Sequence, residues 1–388
     1  MKPAAPRIFT GLRNAWTMLG IALLFIAALE TSLDVWFKSK RFENPYVAMT
    51  PLRLHAENDA PWTGDFVRED LSSREPWKWQ EYEMFALKEF HGRYINVDAD
   101  SNRRTWNPPR ARGRSPASRR ISVHVFGGST AWGWGCRDDY TIPSDLSRIL
   151  NGSGLSVEVE NRAVPAYFST QEVLWLAREL QAGARPDVVV FLDGLNETLT
   201  PIYNEGHPGD ALGRERRLRM AAEPTLLDTA VDILESSAIK RFAATIGGGK
   251  RRRALAFTKS FDPLSEDVAG IYAANTNIVL ALAARYHFHP LFYWQPTIAT
   301  KKRLSALEES LRPVEPFILG DDRPLFLKVS GKVKKLMAGN PHFRDIENLF
   351  DASPATVYSD NEHYTEAASR ELAARIAADV SAIVRRRR

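Results

Sequence analysis

Apolar and polar positions follow two different rules along this chain. Residues 15–29 form an apolar run broken only by Thr17, and Trp16 and Trp36 bracket a wider segment. About twenty residues of helix, each rising about 1.5 Å, cross a hydrocarbon layer of about 30 Å. Tryptophan at both ends fits interfacial anchoring. Glu30 and Asp34 fall in the outer third, where each needs the interface or a partner. The expected element is an uncleaved membrane span over 15–37, preceded by a tail over 1–14. A cleaved signal peptide is the rival reading, but no small-x-small cleavage pattern precedes Glu30. A buried core helix is the third. The flanking charges tie: Lys2, Arg7 and Arg13 before the span, Lys38, Lys40 and Arg41 after it. An N-in, C-out orientation then rests on the shortness of the N-terminal tail.

From residue 121 onward the pattern alternates. Residues 121–126 read as a strand, 142–150 as a short helix and 157–164 as an alternating strand. Residues 169–181 are helical, with Val173, Leu174, Leu176, Ala177 and Leu180 on one side and Ser169 or Thr170 as N-cap. Val188-Val-Val-Phe-Leu192 marks a buried strand over 187–192. A helix over 268–286, a strand over 287–294, a short last strand over 356–359 and an alanine-rich helix over 362–384 follow. This order predicts a parallel sheet with helices on both faces, and sites at the carboxyl ends of its strands. Residues 38–120 read as an aromatic-rich, irregular and partly helical lead-in, ending in an Arg/Ser/Pro-rich loop. The body then spans 121–388. Within it, 198–265 is charged, helix-rich and closed by Gly247-Gly-Gly-Lys-Arg-Arg-Arg253, an insertion expected to cover the strand ends.

Composition narrows the class. The chain has 388 residues, 44% apolar and 10% aromatic, enough for a large packed core. The net charge is +5, and the basic excess gathers at 110–120, 250–253 and 385–388. No nucleic-acid reading motif accompanies it, so these are solvated loops and a tail. The single cysteine, Cys136, excludes an intrachain disulfide and reads as a buried, inert thiol.

The candidate chemistry begins at Ser129, which ends the strand-like stretch Ile121-Ser-Val-His-Val-Phe-Gly-Gly-Ser129. Asp360-Asn-Glu-His363 stands far downstream. A serine hydroxyl needs a base within hydrogen-bond reach, and that base needs a carboxylate to hold its tautomer. Ser129, His363 and Asp360 are the residue types for that task. Trp132, Trp134 and Tyr167 flank the proposed site and are candidates for stacking on a sugar ring or lining an acyl pocket. His287 and His289 share one face of the predicted strand, but spacing offers no third metal ligand. Gly127-Gly-Ser129-Thr-Ala131 misses the Gly-x-Ser-x-Gly elbow, and the glycines at 127, 128, 133 and 135 fit no nucleotide loop.

The chain resembles the SGNH/GDSL hydrolase superfamily. The blocks that carry the resemblance are Phe126-Gly-Gly-Ser129-Thr-Ala131, Asn161-Arg-Ala-Val-Pro-Ala166, Asp193-Gly-Leu-Asn196-Glu197 and Asp360-Asn-Glu-His363, in family order across 121–384. The resemblance implies a flavodoxin-like three-layer α/β/α fold and a Ser129–His363–Asp360 triad. It implies an oxyanion hole from the Ser129 and Ala166 amides and the Asn196 side chain, with no metal or other cofactor. It points to a membrane-anchored esterase or acyltransferase facing the periplasm of a bacterial inner membrane, acting on an acylated extracytoplasmic glycan. A non-catalytic glycan-binding or scaffold component of a polysaccharide export system is the alternative. Two positions depart from the family pattern. Ala166 stands where glycine is usual, a cost if φ is positive there. Glu197 replaces an aspartate, for which only a local structural effect is expected.

Overall fold

The computed structural model describes residues 5–40, 62–73, 77–109, 120–203, 208–209, 239, 261–311, 323–360 and 362–386. The chain divides into two compact units, 1–48 with 218–256 and 49–217 with 257–388. In the first, α1 (Ala5–Lys40) contains the stretch Arg13–Leu33, long and apolar enough to cross a membrane and with none of its apolar window buried. The hydroxyls of Thr17 and Thr31 donate to the carbonyls of Arg13 and Ala27, four residues back, so neither needs an outside acceptor. Glu30 accepts the backbone N–H of Ile239 at 3.1 Å.

The second unit opens with α2 (Thr63–Ser73), the antiparallel pair β1 (Trp77–Gln80) and β2 (Met84–Leu87), and the short pair β3 (Phe90–His91) and β4 (Asn96–Val97). Then come β5 (Ile121–Gly127), α3 (Ser129–Trp132), α4 (Ile142–Gly152), β6 (Val157–Asn161), α5 (Ser169–Gln181), β7 (Val188–Asp193) and α6 (Leu195–Tyr203). The remainder is α7 (Phe261–Tyr286), β8 (His289–Trp294), α8 (Ala306–Leu311), α9 (Arg323–Leu336), β9 (Phe343–Asp345) and α10 (Glu366–Arg386).

The five long-range strands are all parallel, in the order β6-β5-β7-β8-β9. This is the flavodoxin-like order, and it fixes the layers. The chain steps one way from β5 to β6 and the opposite way from β6 to β7 and beyond. Right-handed crossovers then put α4 on one face and α5, α7 and α9 on the other. The helix contacts agree: α4 packs on α10, while α7 packs on α5 and α9. Strand β7 is buried at every position, as a central parallel strand must be, whereas the edge strand β6 alternates. Phe126, Phe191 and Phe292 stand in register on the three central strands and stack at 5.4 and 5.2 Å between ring centroids. Phe126 therefore anchors the strand end that delivers Ser129. The lead-in closes the β6 edge, since Arg103 bridges both Val97 and Asn161 in antiparallel fashion.

Some expected elements differ. Residues 356–359 form no strand of the sheet; Tyr358 makes one isolated antiparallel bridge to Tyr364. Glu308 contributes to this: its buried carboxylate accepts the N–H groups of Val357 and Tyr358 at 2.9 and 3.2 Å, so neither N–H is offered to a strand of the sheet. The fifth strand is instead β9, with one apolar residue and no readable period. Helix α10 starts at Glu366 rather than 362, because the Asp360 carboxylate takes the N–H groups of Glu362 and His363 and holds them in a turn. Strand β8 starts at His289; His287, at φ 64°, belongs to the turn after α7. The cap position of α5 is Phe168 without a side-chain bond. The 198–265 insertion, apart from α6, residues 208–209, Ile239 and the start of α7, lies outside the described residues, as do 110–119 and 250–253.

Buried Arg103 ties the lead-in to the loop after α3. Its Nε donates to Asp138 Oδ1 at 2.9 Å, and its other nitrogens donate to the carbonyls of Trp132 (3.3 Å), Gly133 (2.7 Å) and Cys136 (2.6 Å). The guanidinium also lies 4.2 Å from the Trp132 ring centroid. Burial pushes the Asp138 carboxyl up and Arg103 opposes it. Arg103→Met is expected to cost about 3–5 kcal/mol in urea unfolding, because buried Asp138 loses its cation and three carbonyls lose one donor each. The double variant with Asp138→Leu recovers part of that loss.

Candidate active site

Three strand ends meet where the strand order reverses, the place at which open α/β sheets form their sites. Strand β5 delivers Ser129 and β7 delivers Asn196; the turn after β6 carries Ala166. The approach of β5 to this end requires glycine. A Cβ on Gly128 would fall 2.1 Å from Asn196 Nδ2 and 3.0 Å from the Tyr167 carbonyl oxygen. At Gly127, φ is +151° and a Cβ would meet Ala131 Cβ at 2.6 Å.

His363 arrives from the turn before α10. Its Nε2 lies 2.7 Å from Ser129 Oγ and its Nδ1 lies 2.7 Å from Asp360 Oδ2. Asp360 Oδ1 accepts the backbone N–H groups of Glu362 (2.9 Å) and His363 (2.6 Å). Burial alone would raise the Asp360 carboxyl, but the facing His363 and these N–H donors outweigh it and hold it below the ordinary value. An ionised Asp360 only accepts, so Nδ1 carries the imidazole proton and Nε2 accepts from the Ser129 hydroxyl. All three residues are buried, at 8% (Ser129), 4% (His363) and 8% (Asp360) exposure, so solvent screens the line of hydrogen bonds little.

The other sequence candidates separate. Asn196 Nδ2 donates to the Tyr167 carbonyl at 2.6 Å, and a primary amide keeps a second hydrogen for another acceptor. Ala166 has φ 65°, the left-handed geometry that favours glycine, and its residue is exposed. Trp132 and Tyr167 have their side chains in the core, each 1% exposed. Arg103 covers the Trp132 ring, and the Tyr167 hydroxyl donates to the Phe85 carbonyl at 2.6 Å. Neither ring is free to stack on a substrate. Trp134 is half-buried and stacks on His363. Cys136 is buried, and burial pushes its thiol up to about 12.

Several groups at the site gave little sequence signal. Thr130 Oγ1, next in sequence to Ser129, donates to Gln295 Oε1 at 2.8 Å. Glu362 Oε1 lies 3.6 Å from His363 Nε2. Glu197 is structural: its two oxygens accept the N–H groups of Ser169 and Gly194 at 2.8 Å each, tying α5 to the turn that starts the helix carrying Asn196. Glu172, Asp193 and Glu197 are all buried around a cavity of about 10 Å³, water-sized, whose walls include Ser129 and Asn196. Asp193 and Glu197 fall in the Asp193-Gly-Leu-Asn196-Glu197 block, whereas Glu172 has only an apolar run beside it as a signal.

Burial pushes all three carboxyls up; the neighbouring Asp193 and Glu197 push Glu172 further, and Asp193 receives the Tyr272 hydroxyl at 3.2 Å. Both Glu172 oxygens and Asp193 Oδ1 lack a donor as charged groups. Their upward shift favours a protonated form, in which one carboxyl can donate to the other.

No known family profile and no curated protein matches the sequence. Similar solved structures include an acetyl xylan esterase, at 14% identity over 67% of this chain and 100% of that one, with a TM-score of 0.40. A carbohydrate acetylesterase from Sinorhizobium meliloti matches at 15% identity over 68% and 100%, with a TM-score of 0.38. A lipolytic protein of the G-D-S-L family from Veillonella parvula matches at 10% identity over 65% and 94%, with a TM-score of 0.37. The likeness is one of fold.

The acidic cluster sets a pH dependence of stability. A carboxyl raised in the folded state holds its proton where the unfolded chain has lost it, so stability falls as pH rises from the unfolded value through the folded one. Urea midpoints between pH 5 and 9 are expected to decline towards alkaline pH. Glu172→Gln, a neutral donor of similar shape, is expected to flatten that decline; an unchanged slope would place its source elsewhere.

Proposed function

We propose that this chain is a serine-dependent ester hydrolase or acyltransferase of SGNH type, anchored in a membrane and acting on O-acyl groups of an extracytoplasmic glycan. The observation that carries the chemistry is the hydrogen-bonded line Ser129–His363–Asp360 at the reversal point of the sheet. Ser129 Oγ attacks the ester carbonyl while its proton passes to His363 Nε2. Asp360 holds the imidazolium that forms. The negative charge on the tetrahedral oxygen is received by the N–H groups of Ser129 and Ala166 and the remaining amide hydrogen of Asn196. Collapse expels the alcohol, which takes the proton from Nε2 and leaves an acyl group on Ser129. Water then gives hydrolysis, and a sugar hydroxyl gives transfer, by the same steps in reverse.

The left-handed φ of Ala166 is supporting detail. Strain of order 1 kcal/mol kept in a turn beside the nucleophile fits a backbone N–H aimed for use. The glycan assignment rests on the resemblance of the motif blocks and on the apolar stretch of α1. In this reading residues 1–14 remain inside, 15–37 cross a bacterial inner membrane once, and the body from 121 onward, with its lead-in, faces the periplasm.

Turnover of p-nitrophenyl acetate by the full chain in detergent tests the chemistry. Ser129→Ala and His363→Ala are each expected to lower kcat/KM by about 10³-fold or more while leaving the protein folded. Wild-type turnover in both variants would contradict the mechanism. A folded wild type that never turns over, yet retains acetylated glycan, would instead make it a binding component.

A further inference from the structure

Trp134 is held more firmly than a loop side chain needs to be. It sits between Gly133 and Gly135, both at positive φ (95° and 79°), a backbone path that side-chain-bearing residues rarely take. Its own N–H donates to the Ser129 carbonyl at 3.0 Å, so the loop is tied to the residue that carries the nucleophile. The carbonyls around it, those of Trp132, Gly133 and Cys136, are all taken by the buried Arg103 guanidinium. Space beside Gly133 is closed as well, since a Cβ there would meet Thr141 Cγ2 at 2.4 Å. The result is an indole lying parallel to the His363 ring, with centroids 5.3 Å apart and planes 13° apart.

We infer that Trp134 is a positioning residue for His363: its indole face fixes the imidazole plane between Asp360 and Ser129 and stabilises the ring once it is charged. This rests on the triad reading above. The in-plane contacts fix Nδ1 and Nε2 but leave the ring able to tilt about their axis, and a flat partner on one face removes that freedom. An aromatic face within about 6 Å also attracts a cation electrostatically. Asp360 and Glu362, both on its own segment, face the imidazole with charge. Trp134, from the separate segment after α3, adds an uncharged attraction that is stronger for imidazolium than for imidazole. It therefore favours the state formed during acylation and deacylation.

Trp134→Phe and Trp134→Leu separate this from plain packing. In the full chain, Trp134→Leu is expected to lower kcat for p-nitrophenyl acetate about tenfold with KM changed less than about twofold. The acidic limb of its kcat/KM profile is expected to move down by about half a pH unit. Trp134→Phe, which keeps an aromatic face, is expected to retain most of kcat and the limb. A role in excluding water alone has the opposite sign: exposing the imidazole to solvent would move the limb up. The inference is overturned by an upward or unmoved limb in Trp134→Leu, or by a rise in KM alone. If wild type shows no Ser129-dependent turnover, the triad reading fails. The His363 ring titration followed by NMR then still decides the stacking claim: a lower midpoint in Trp134→Leu upholds it, and an equal or higher one rejects it.

Discussion

The buried Asp360 carboxylate organises the candidate active site. One oxygen collects two backbone N–H groups of its own turn and the other receives the imidazole N–H. Those three donors keep it ionised despite burial, and an ionised Asp360 sets the His363 tautomer. The same capture holds Glu362 and His363 out of the helix that follows, so α10 starts three residues after the histidine. Local structure, charge state and imidazole orientation are therefore one fact seen three ways. The partner, Ser129, is placed by a different constraint, the glycine pair that lets β5 pass beneath the Asn196 amide.

Elsewhere the domain settles buried charge in distinct ways. Arg103 meets Asp138 and three carbonyls. Lys301 donates to Glu308 at 2.6 Å and to the Ala355 carbonyl at 2.7 Å, while Glu308 also collects the N–H groups of Ser305, Val357 and Tyr358. Among the described residues no cation faces Glu172 or Asp193, and burial pushes both carboxyls up, towards the protonated form. Two of these arrangements adjoin the site, the acidic cluster beside the start of α6 and the Arg103 cluster around the Trp134 segment. Each fixes a loop that short-range propensity would leave free, at a desolvation cost that only full hydrogen bonding offsets.

The sequence was informative where periodicity and motif coincided. Residues 121–126, 169–181 and 187–192 carry clear apolar patterns, and the elements there agree closely with them. Ser129 and His363, 234 positions apart, were legible as a pair because strand, glycines and Asp-x-x-His each have a local signature. Arg103 and Glu308 had none. Their partners are backbone groups distant in the chain, and an isolated Arg or Glu looks alike on a surface or in a core. Glu308 also contributes to the irregular course of 356–359, an apparent strand, by taking two of its N–H groups. Trp132 and Trp134 look equivalent in Trp-Gly-Trp-Gly, yet one is core and the other stacks on the imidazole. Two positive-φ glycines produce that divergence, and sequence pattern alone does not report φ.

The central claim is that Ser129 is an activated nucleophile held by His363. Its most direct test is reaction of the full chain with a fluorophosphonate, followed by mass mapping of the modified peptide. The account predicts one phosphonyl group per chain, on Ser129, formed at least about a hundred times more slowly when His363 is alanine. Modification at another serine, or an equal rate in His363→Ala, would contradict it.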